Sequence, residues 1–169
     1  MRKIDVKLIS RAVGEMCITS NCLVSRDIKA ALTAAEQREK EPLAGTVLKT
    51  ILKNAEVAEE KMIPICQDTG MVVVFVEIGQ DVFLVNGDLE AAVNDGVAWG
   101  YKEGYLRASV VADPIRRENT KNNTPAVIHH KIVPGDRVKI TVSPKGFGSE
   151  NMSALKMLKP SQGLSGVKK

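Results

Sequence analysis

The sequence predicts an α+β fold, an N-terminal helical layer packed on a small, mainly antiparallel or mixed sheet. Two observations carry this. Apolar residues recur at helical spacing through the first sixty positions. From Pro64 onward the texture changes to short runs rich in β-branched and aromatic residues, interrupted by one periodic helix between Asp88 and Gly104. A length of 169 residues favours one domain, helical over 1–61 and sheet-containing over 62–169. A domain of this size buries roughly 70% of its unfolded surface and needs no disulfides.

The elements follow in order. Ile9, Val13, Met16 and Cys17 share one face of a first helix, and Ile28, Ala31, Leu32 and Ala35 one face of a second. REKE at 38–41 is a solvated charge run, and Pro42 suits the first position of a third helix. Val47, Leu48, Ile51, Leu52 and Ala55 form its apolar stripe, with AEVAEEK as a polar tail. MVVVFVEI is too short for a typical helix and reads as a strand buried on both faces. Gly79-Gln80 then reads as a tight turn into DVFLVNG, giving a hairpin.

Asp88 caps the next helix, whose stripe is Leu89, Ala92, Val93, Val97 and Tyr101, with Gly104 as the stop. Gly96 and Gly100 fall on or beside that face, where they weaken a helix by about 1 kcal/mol each and so point to a close backbone contact. LRASVVADP reads as a strand with Arg107 just inside it, followed by the polar loop RRENTKNNTP. AVIHHKIV and DRVKITVSP are two more strands joined by Pro134-Gly135. KGFGSEN then leads through Ser149 and Glu150 into a short helix that stops before Pro160.

Composition excludes several classes. No apolar run approaches the roughly 20 residues of a membrane span. The N-terminus has charges spaced through it and lacks the apolar core of a secretory signal, so a cytoplasmic protein is expected. The net charge is +4, with an excess of two positive charges on each side of residue 61. No basic pole and only 4% aromatics argue against nucleic-acid binding. Three cysteines, Cys17, Cys22 and Cys66, argue against a disulfide framework. Cys17 and Cys22 read as small buried hydrophobes rather than metal ligands. Asn122-Asn123-Thr124 spells a glycosylation acceptor with no meaning in a cytoplasmic chain.

Four places offer chemistry. In PICQDTG, a thiol, an amide and a carboxylate (Cys66, Gln67, Asp68) stand at the mouth of an apolar strand, where desolvation without partners is costly. The same residues also spell a turn, with Asp68 and Thr69 bonding local backbone and Gly70 supplying positive φ. Arg107 suits a carboxylate or phosphate, or an internal ion pair with Asp113 or Glu118. The glycines of KGFGSEN expose backbone N–H groups that suit an anion, and equally suit a plain helix cap at Ser149. His129 and His130 point to opposite faces of a strand and read as structural.

In order, PICQDTG, VNGDLEAAVNDGVAWGY, LRASVVADPIRRENTKNNTPAVIHH and VSPKGFGSENMSALKMLKPSQG resemble the N-terminal part of the iron–sulfur hydro-lyases, class I fumarase and L-tartrate dehydratase alpha subunit. The resemblance runs from about residue 3 to Gly163 and rests on several motifs in fixed order.

It implies an oxygen-sensitive 4Fe-4S cluster held by three cysteines, with one iron open as a Lewis acid toward the hydroxyl that leaves or the water that adds. By the resemblance Cys66 is the first cluster ligand and Gln67 bonds the substrate. Asp68 is the candidate acid or base, Arg107 clamps a substrate carboxylate, and Gly148 approaches substrate through its backbone. Ser149 and Glu150 shape that loop. The substrate is a small dicarboxylate, (S)-malate with fumarate or tartrate with oxaloacetate. The partner is a beta subunit carrying further arginines and a catalytic threonine.

The family continues past KPSQG with the second and third cysteines, which Cys17 and Cys22 do not match. This chain ends at Lys169 with one of the three ligands. It therefore reads as a truncated or split subunit that folds but does not catalyse alone, with uncovered apolar surface that favours self-association. The other readings are an L-tartrate dehydratase alpha subunit and a non-catalytic module that binds partner subunits.

Overall fold

The computed structural model describes residues 1–148 and 152–168. The expected cap at Ser149 and the neighbouring Glu150 lie outside the described residues. The fold is α+β, as the sequence predicts, and the sheet that carries the core is mixed.

The chain opens with a short strand, β1 (Arg2–Asp5), where helix was expected. Asp5 then caps α1 (Val6–Cys22): its Oδ1 accepts the Lys7 N–H at 2.8 Å. Its Oδ2 accepts from Asn86 at 2.7 Å, and these bonds hold the Asp5 carboxyl below the usual carboxylate range. α2 (Arg26–Arg38) and α3 (Pro42–Lys61) follow, with Pro42 at the start of α3 as expected. α2 buries no residue, and α3 buries Ala55 and Ala58. Ala58 lies within the stretch read as its polar tail. The pair is joined across its surface by Lys29–Glu59 at 3.1 Å and Lys49–Glu36 at 3.8 Å.

β2 (Met71–Gly79) is the centre of a three-stranded sheet. β4 (Val127–Val133) pairs with it in parallel, and β5 (Val138–Lys145) antiparallel. The connection at Pro134-Gly135 is therefore not a hairpin turn, because β2 lies between the two strands it joins. β3 (Val82–Val85) does not pair with β2 either; it lies parallel to β1 in a separate two-stranded sheet. The reason is occupancy. Both edges of β2 are taken, and the chain leaving it bonds the β4–β5 connection instead: Gln80 N–H to the Val133 carbonyl at 2.9 Å, Asp81 N–H to the Gly135 carbonyl at 3.0 Å.

β2 is buried on one face rather than two. Val72, Val74 and Val76 point into the core, whereas Phe75, on the other face, is 45% exposed. Phe75 stacks on His129 with ring centroids 5.0 Å apart. The inner face packs on Ile9, Val13 and Cys17 of α1 and on Val93, Val97 and Tyr101 of α4 (Leu89–Glu103). Cys17 and Cys22 are fully buried, as small hydrophobes.

α1 and α4 cross at the expected close approach. A Cβ on Gly96 would stand 2.3 Å from the Ser10 carbonyl oxygen, and one on Gly100 would stand 2.6 Å from that of Gly14. Two other expectations fail. Residues 106–110 form no strand, only an isolated bridge from Val111 to Asn119. Residues 153–159 form no helix; Leu155 and Met157 are at least 90% exposed, so no packing repays helix nucleation. The chain closes with a turn of 3-10 helix (Pro160–Gln162) and α5 (Gly163–Val167).

The crossing is testable. Gly96→Ala forces backbone apart at the tightest contact between α1 and α4, and is expected to lower unfolding free energy by about 2 kcal/mol. Gly45→Ala, where a Cβ meets nothing within 4 Å, is expected to be neutral or mildly stabilising in the same urea titration. Equal midpoints for the two variants contradict the crossing.

Candidate functional site

Strand direction brings three loops to one end of the sheet. Met71 of β2 pairs with Lys145 of β5, and Val73 pairs with Val127 of β4. The start of β2, the start of β4 and the end of β5 therefore lie together. The segments attached there are Cys66–Gly70, the long loop 106–126 and Gly146–Gly148. Each carries at least one residue singled out from the sequence.

The Cys66–Gly70 turn is built as its residues spell. Gly70 has φ of +63°, and Asp68 Oδ1 accepts the Gly70 N–H at 3.2 Å. The turn is more than local, however. Asp68 Oδ2 accepts the Phe147 N–H at 3.1 Å, which clamps the loop after β5. A Cβ on Gly146 would stand 2.8 Å from that same oxygen, and a Cβ on Gly70 would stand 2.2 Å from the Lys145 carbonyl oxygen. Gly70 is needed for the two loops to lie this close, whereas a Cβ on Gly146 would press on the Asp68 carboxylate. Lys145 folds back over the same loop, its Nζ donating to the Gly146 carbonyl at 2.6 Å and lying 5.5 Å from the Phe147 ring centroid.

Cys66 is exposed, and its Sγ lies 3.4 Å from Gln67 Oε1 and 3.5 Å from the Asp68 backbone nitrogen. The approach to it is pinned by Asn54, which donates to the Ile65 carbonyl at 2.9 Å, and by the Ile65 N–H, bonded to the Asn21 carbonyl at 2.9 Å. Helices α1 and α3 thus hold the thiol-bearing segment from behind.

Arg107 sits on the extended segment after α4, not in a strand. Its backbone carbonyl accepts from the buried Thr69 hydroxyl at 3.0 Å, which places it beside the turn. Its side chain is exposed and makes no ion pair with Asp113 or Glu118. Asp113 instead closes its own turn, accepting the Ile115 and Arg116 N–H groups at 2.9 and 2.6 Å. Gly148 is exposed with open space where a Cβ would stand. His129, stacked on Phe75 at the outer face of the sheet, and His130, on the opposite face of the edge strand β4, are both exposed.

The bonds that hold the site together come from residues sequence reasoning passed over. Tyr101, read as core, donates its hydroxyl to the Thr69 carbonyl at 2.6 Å and lies 3.2 Å from that of Gly70. Burial pushes its phenol pKa up, so it remains a donor at any ordinary pH. Asn123, read within a meaningless glycosylation triplet, is fully buried. It donates to the Gly70 carbonyl at 3.1 Å and accepts the N–H groups of Ser109 and Val110 at 2.7 and 3.2 Å. Nothing in the sequence distinguishes it from Asn119 or Asn122.

The donor set fits a metal cluster in part. Cys66 offers one accessible thiol. Cys17 and Cys22 are sealed inside, and burial pushes the Cys17 thiol up to about 12. Among the described residues no group of three or more His, Cys, Asp or Glu side chains could hold a metal. These residues do not hold an iron–sulfur cluster by themselves. Nor is any helix long and apolar enough to cross a membrane among the described residues.

The site is thus a glycine-shaped, carboxylate-clamped turn that presents an exposed thiol, with the backbone of Arg107 held against it by Thr69. Residues 10–169 match the family model for fumarate hydratase (Fumerase), and the chain belongs to that family. A Methanocaldococcus jannaschii protein named for L(+)-tartrate dehydratase subunit alpha is 38% identical over 169 residues, covering 95% of this chain and 58% of the relative. The aerobic class I fumarate hydratase of Escherichia coli is 40% identical over 106 residues, 62% of this chain and 19% of that enzyme. The L(+)-tartrate dehydratase subunit alpha of Escherichia coli is 28% identical over 146 residues, 85% of this chain and 48% of the relative. The chain thus spans about half the length, or less, of these relatives.

Thiol exposure gives a direct check. Under native conditions iodoacetamide is expected to modify Cys66 alone, with Cys17 and Cys22 reacting only after denaturation, as read by mass spectrometry of peptides. Comparable native labelling of Cys17 contradicts the packing of α1.

Proposed function

We propose that this chain is the N-terminal portion of an iron–sulfur-dependent hydro-lyase that interconverts a 2-hydroxy dicarboxylate and its dehydrated product, (S)-malate and fumarate. What supports this most is the convergence of Cys66–Gly70, Arg107 and Gly146–Gly148 at one end of the sheet in a chain of the fumarate hydratase family. The residues take these roles. Cys66 supplies one thiolate ligand. Gln67, beside it, bonds the substrate hydroxyl or carboxylate. Arg107 receives a substrate carboxylate through its planar fork of donors. Asp68 moves the proton; both of its oxygens are oriented by backbone N–H groups, and each keeps a lone pair for that work. Gly148 lets substrate approach the backbone.

The remaining ligands come from polypeptide outside this chain, and a beta subunit is the expected partner; relatives bearing an alpha-subunit name support it. A tartrate-specific enzyme is the second reading. It is favoured by the Methanocaldococcus jannaschii relative, which covers 95% of this chain.

The experiment is anaerobic reconstitution with iron and sulfide. The chain alone is expected to retain no stable cluster. Joined to the complementary polypeptide and the beta subunit, it is expected to bind iron and hydrate fumarate. Cys66→Ser should then remove both iron and turnover. Arg107→Lys should raise KM about tenfold while iron content holds, because a lysine cannot reproduce the bidentate contact. Full iron content and full turnover in Cys66→Ser would falsify the assignment. Comparing malate and tartrate in the same assembly decides between the two substrates.

A further inference from the structure

Asn123 is buried to 0% exposure, with its backbone at φ +61°, a conformation asparagine tolerates better than most residues. Its carboxamide is used at both ends. The oxygen accepts from Ser109 and Val110, two and three residues past Arg107. The nitrogen donates to the carbonyl of Gly70, which closes the Cys66 turn. Asn119, in the same loop, offers a contrast. It donates to Ala108 and accepts from Lys121, so both of its bonds stay within loop 106–126. Asn123 alone of these two crosses to the turn.

We infer that Asn123 is a positioning residue that fixes the Arg107 segment against the Cys66–Gly70 turn, an inference that rests on the hydro-lyase reading for its catalytic meaning. The Thr69 hydroxyl bonded to the Arg107 carbonyl is the second strap, so the backbone around Arg107 is held on both sides. The chemistry selects asparagine. A carboxylate at this position lacks the donor for Gly70, and glutamine is one methylene too long for the same three bonds. With the straps in place, the origin of the Arg107 side chain and the origin of the Cys66 and Asp68 side chains form one rigid frame. A shift of about 1 Å between such groups costs on the order of a hundredfold in rate.

Asn123→Asp is a titratable copy of the native residue. Protonated, its O–H donates to the Gly70 carbonyl; ionised, it cannot, while the other oxygen still accepts from Ser109 and Val110. The titratable group facing it is the Tyr101 phenol, which shares the Gly70 carbonyl and stays protonated. The test is amide exchange by NMR on the 169-residue chain, as protection factors corrected for intrinsic rates. The reporters are Gly70 and Phe147, whose N–H groups bond Asp68 and not Asn123.

In Asn123→Asp above the carboxyl's titration, Gly70 and Phe147 are expected to lose protection about tenfold and regain it on acidification, while Ser109 and Val110 stay protected. Should this variant fail to fold, Asn123→Gly removes the carboxamide without strain at positive φ, and all four amides should lose protection together. Gly96→Ala serves as the control for general destabilisation and should show no recovery at low pH. Protection at Gly70 and Phe147 within twofold of wild type, or losses without pH dependence that match Gly96→Ala, overturns the inference.

In the reconstituted assembly, ionised Asn123→Asp should lower kcat more than tenfold at unchanged iron content. An assembly that is inert even with wild-type Asn123 sinks the hydro-lyase reading while leaving the exchange result to decide the positioning role.

Discussion

Two carbonyl groups just ahead of β2, those of Thr69 and Gly70, are turned inward, where no water can reach them. Each must find a donor inside the protein. They find Tyr101 from α4 and Asn123 from the loop before β4. This need for partners ties three separate parts of the chain to one turn. The Thr69 hydroxyl adds a bond in the opposite direction, to the carbonyl of Arg107. A site made of loops is thereby held with the definition of a sheet.

Those bonds depend in turn on where α4 lies. Tyr101 reaches the turn because α4 presses on α1 at Gly14, Gly96 and Gly100, closer than any side chain permits. The same crossing packs Val93 and Val97 over the inner face of β2, whose Val72, Val74 and Val76 have no exposure to speak of. Core and site are therefore one construction. Helix spacing sets the height of the Tyr101 hydroxyl, and that hydroxyl sets the turn bearing Cys66.

The sequence disclosed the parts that are written in local patterns. α1, α3 and α4, the stripes of α1 and α4, Pro42, the Asp88 cap and the glycine contact followed from periodicity and capping chemistry, whereas Val47 and Ile51 of the expected α3 stripe are exposed. The Asp68–Gly70 turn followed in the same way. What stayed hidden was pairing. A run such as DVFLV reads as the return strand of a hairpin unless it is known that β4 and β5 occupy both edges of β2, and those strands come about fifty residues later in the chain. The alternation of β2 was masked because Val73 and Phe75 on its outer face are as apolar as Val72 and Val74 on its inner face. The candidate residues Cys66, Asp68 and Arg107 stood out in the sequence, since thiol, carboxylate and arginine are conspicuous in apolar surroundings, and the structure brings their segments together. Asn123 was not, because an asparagine in a polar loop looks the same whether it faces water or bonds two segments.

The distribution of exposure bears on how such a site could act. Cys66, Gln67, Arg107 and Gly148 are all exposed, whereas Thr69, Tyr101 and Asn123, which tie the turn to its neighbours, are buried. An arginine in open water gives little discrimination to a carboxylate, because solvent competes for both partners. Proton transfer at a carbon beside a carboxylate likewise gains from a dry surrounding, in which fixed donors act at full strength. Under the hydro-lyase reading the rim must therefore be closed by further polypeptide, which at once completes the thiolate set and raises the effective strength of Arg107. Under that same reading the bonds from Thr69, Tyr101 and Asn123 are in place before closure, so the added polypeptide would bring cover and ligands rather than reorder the groups already held.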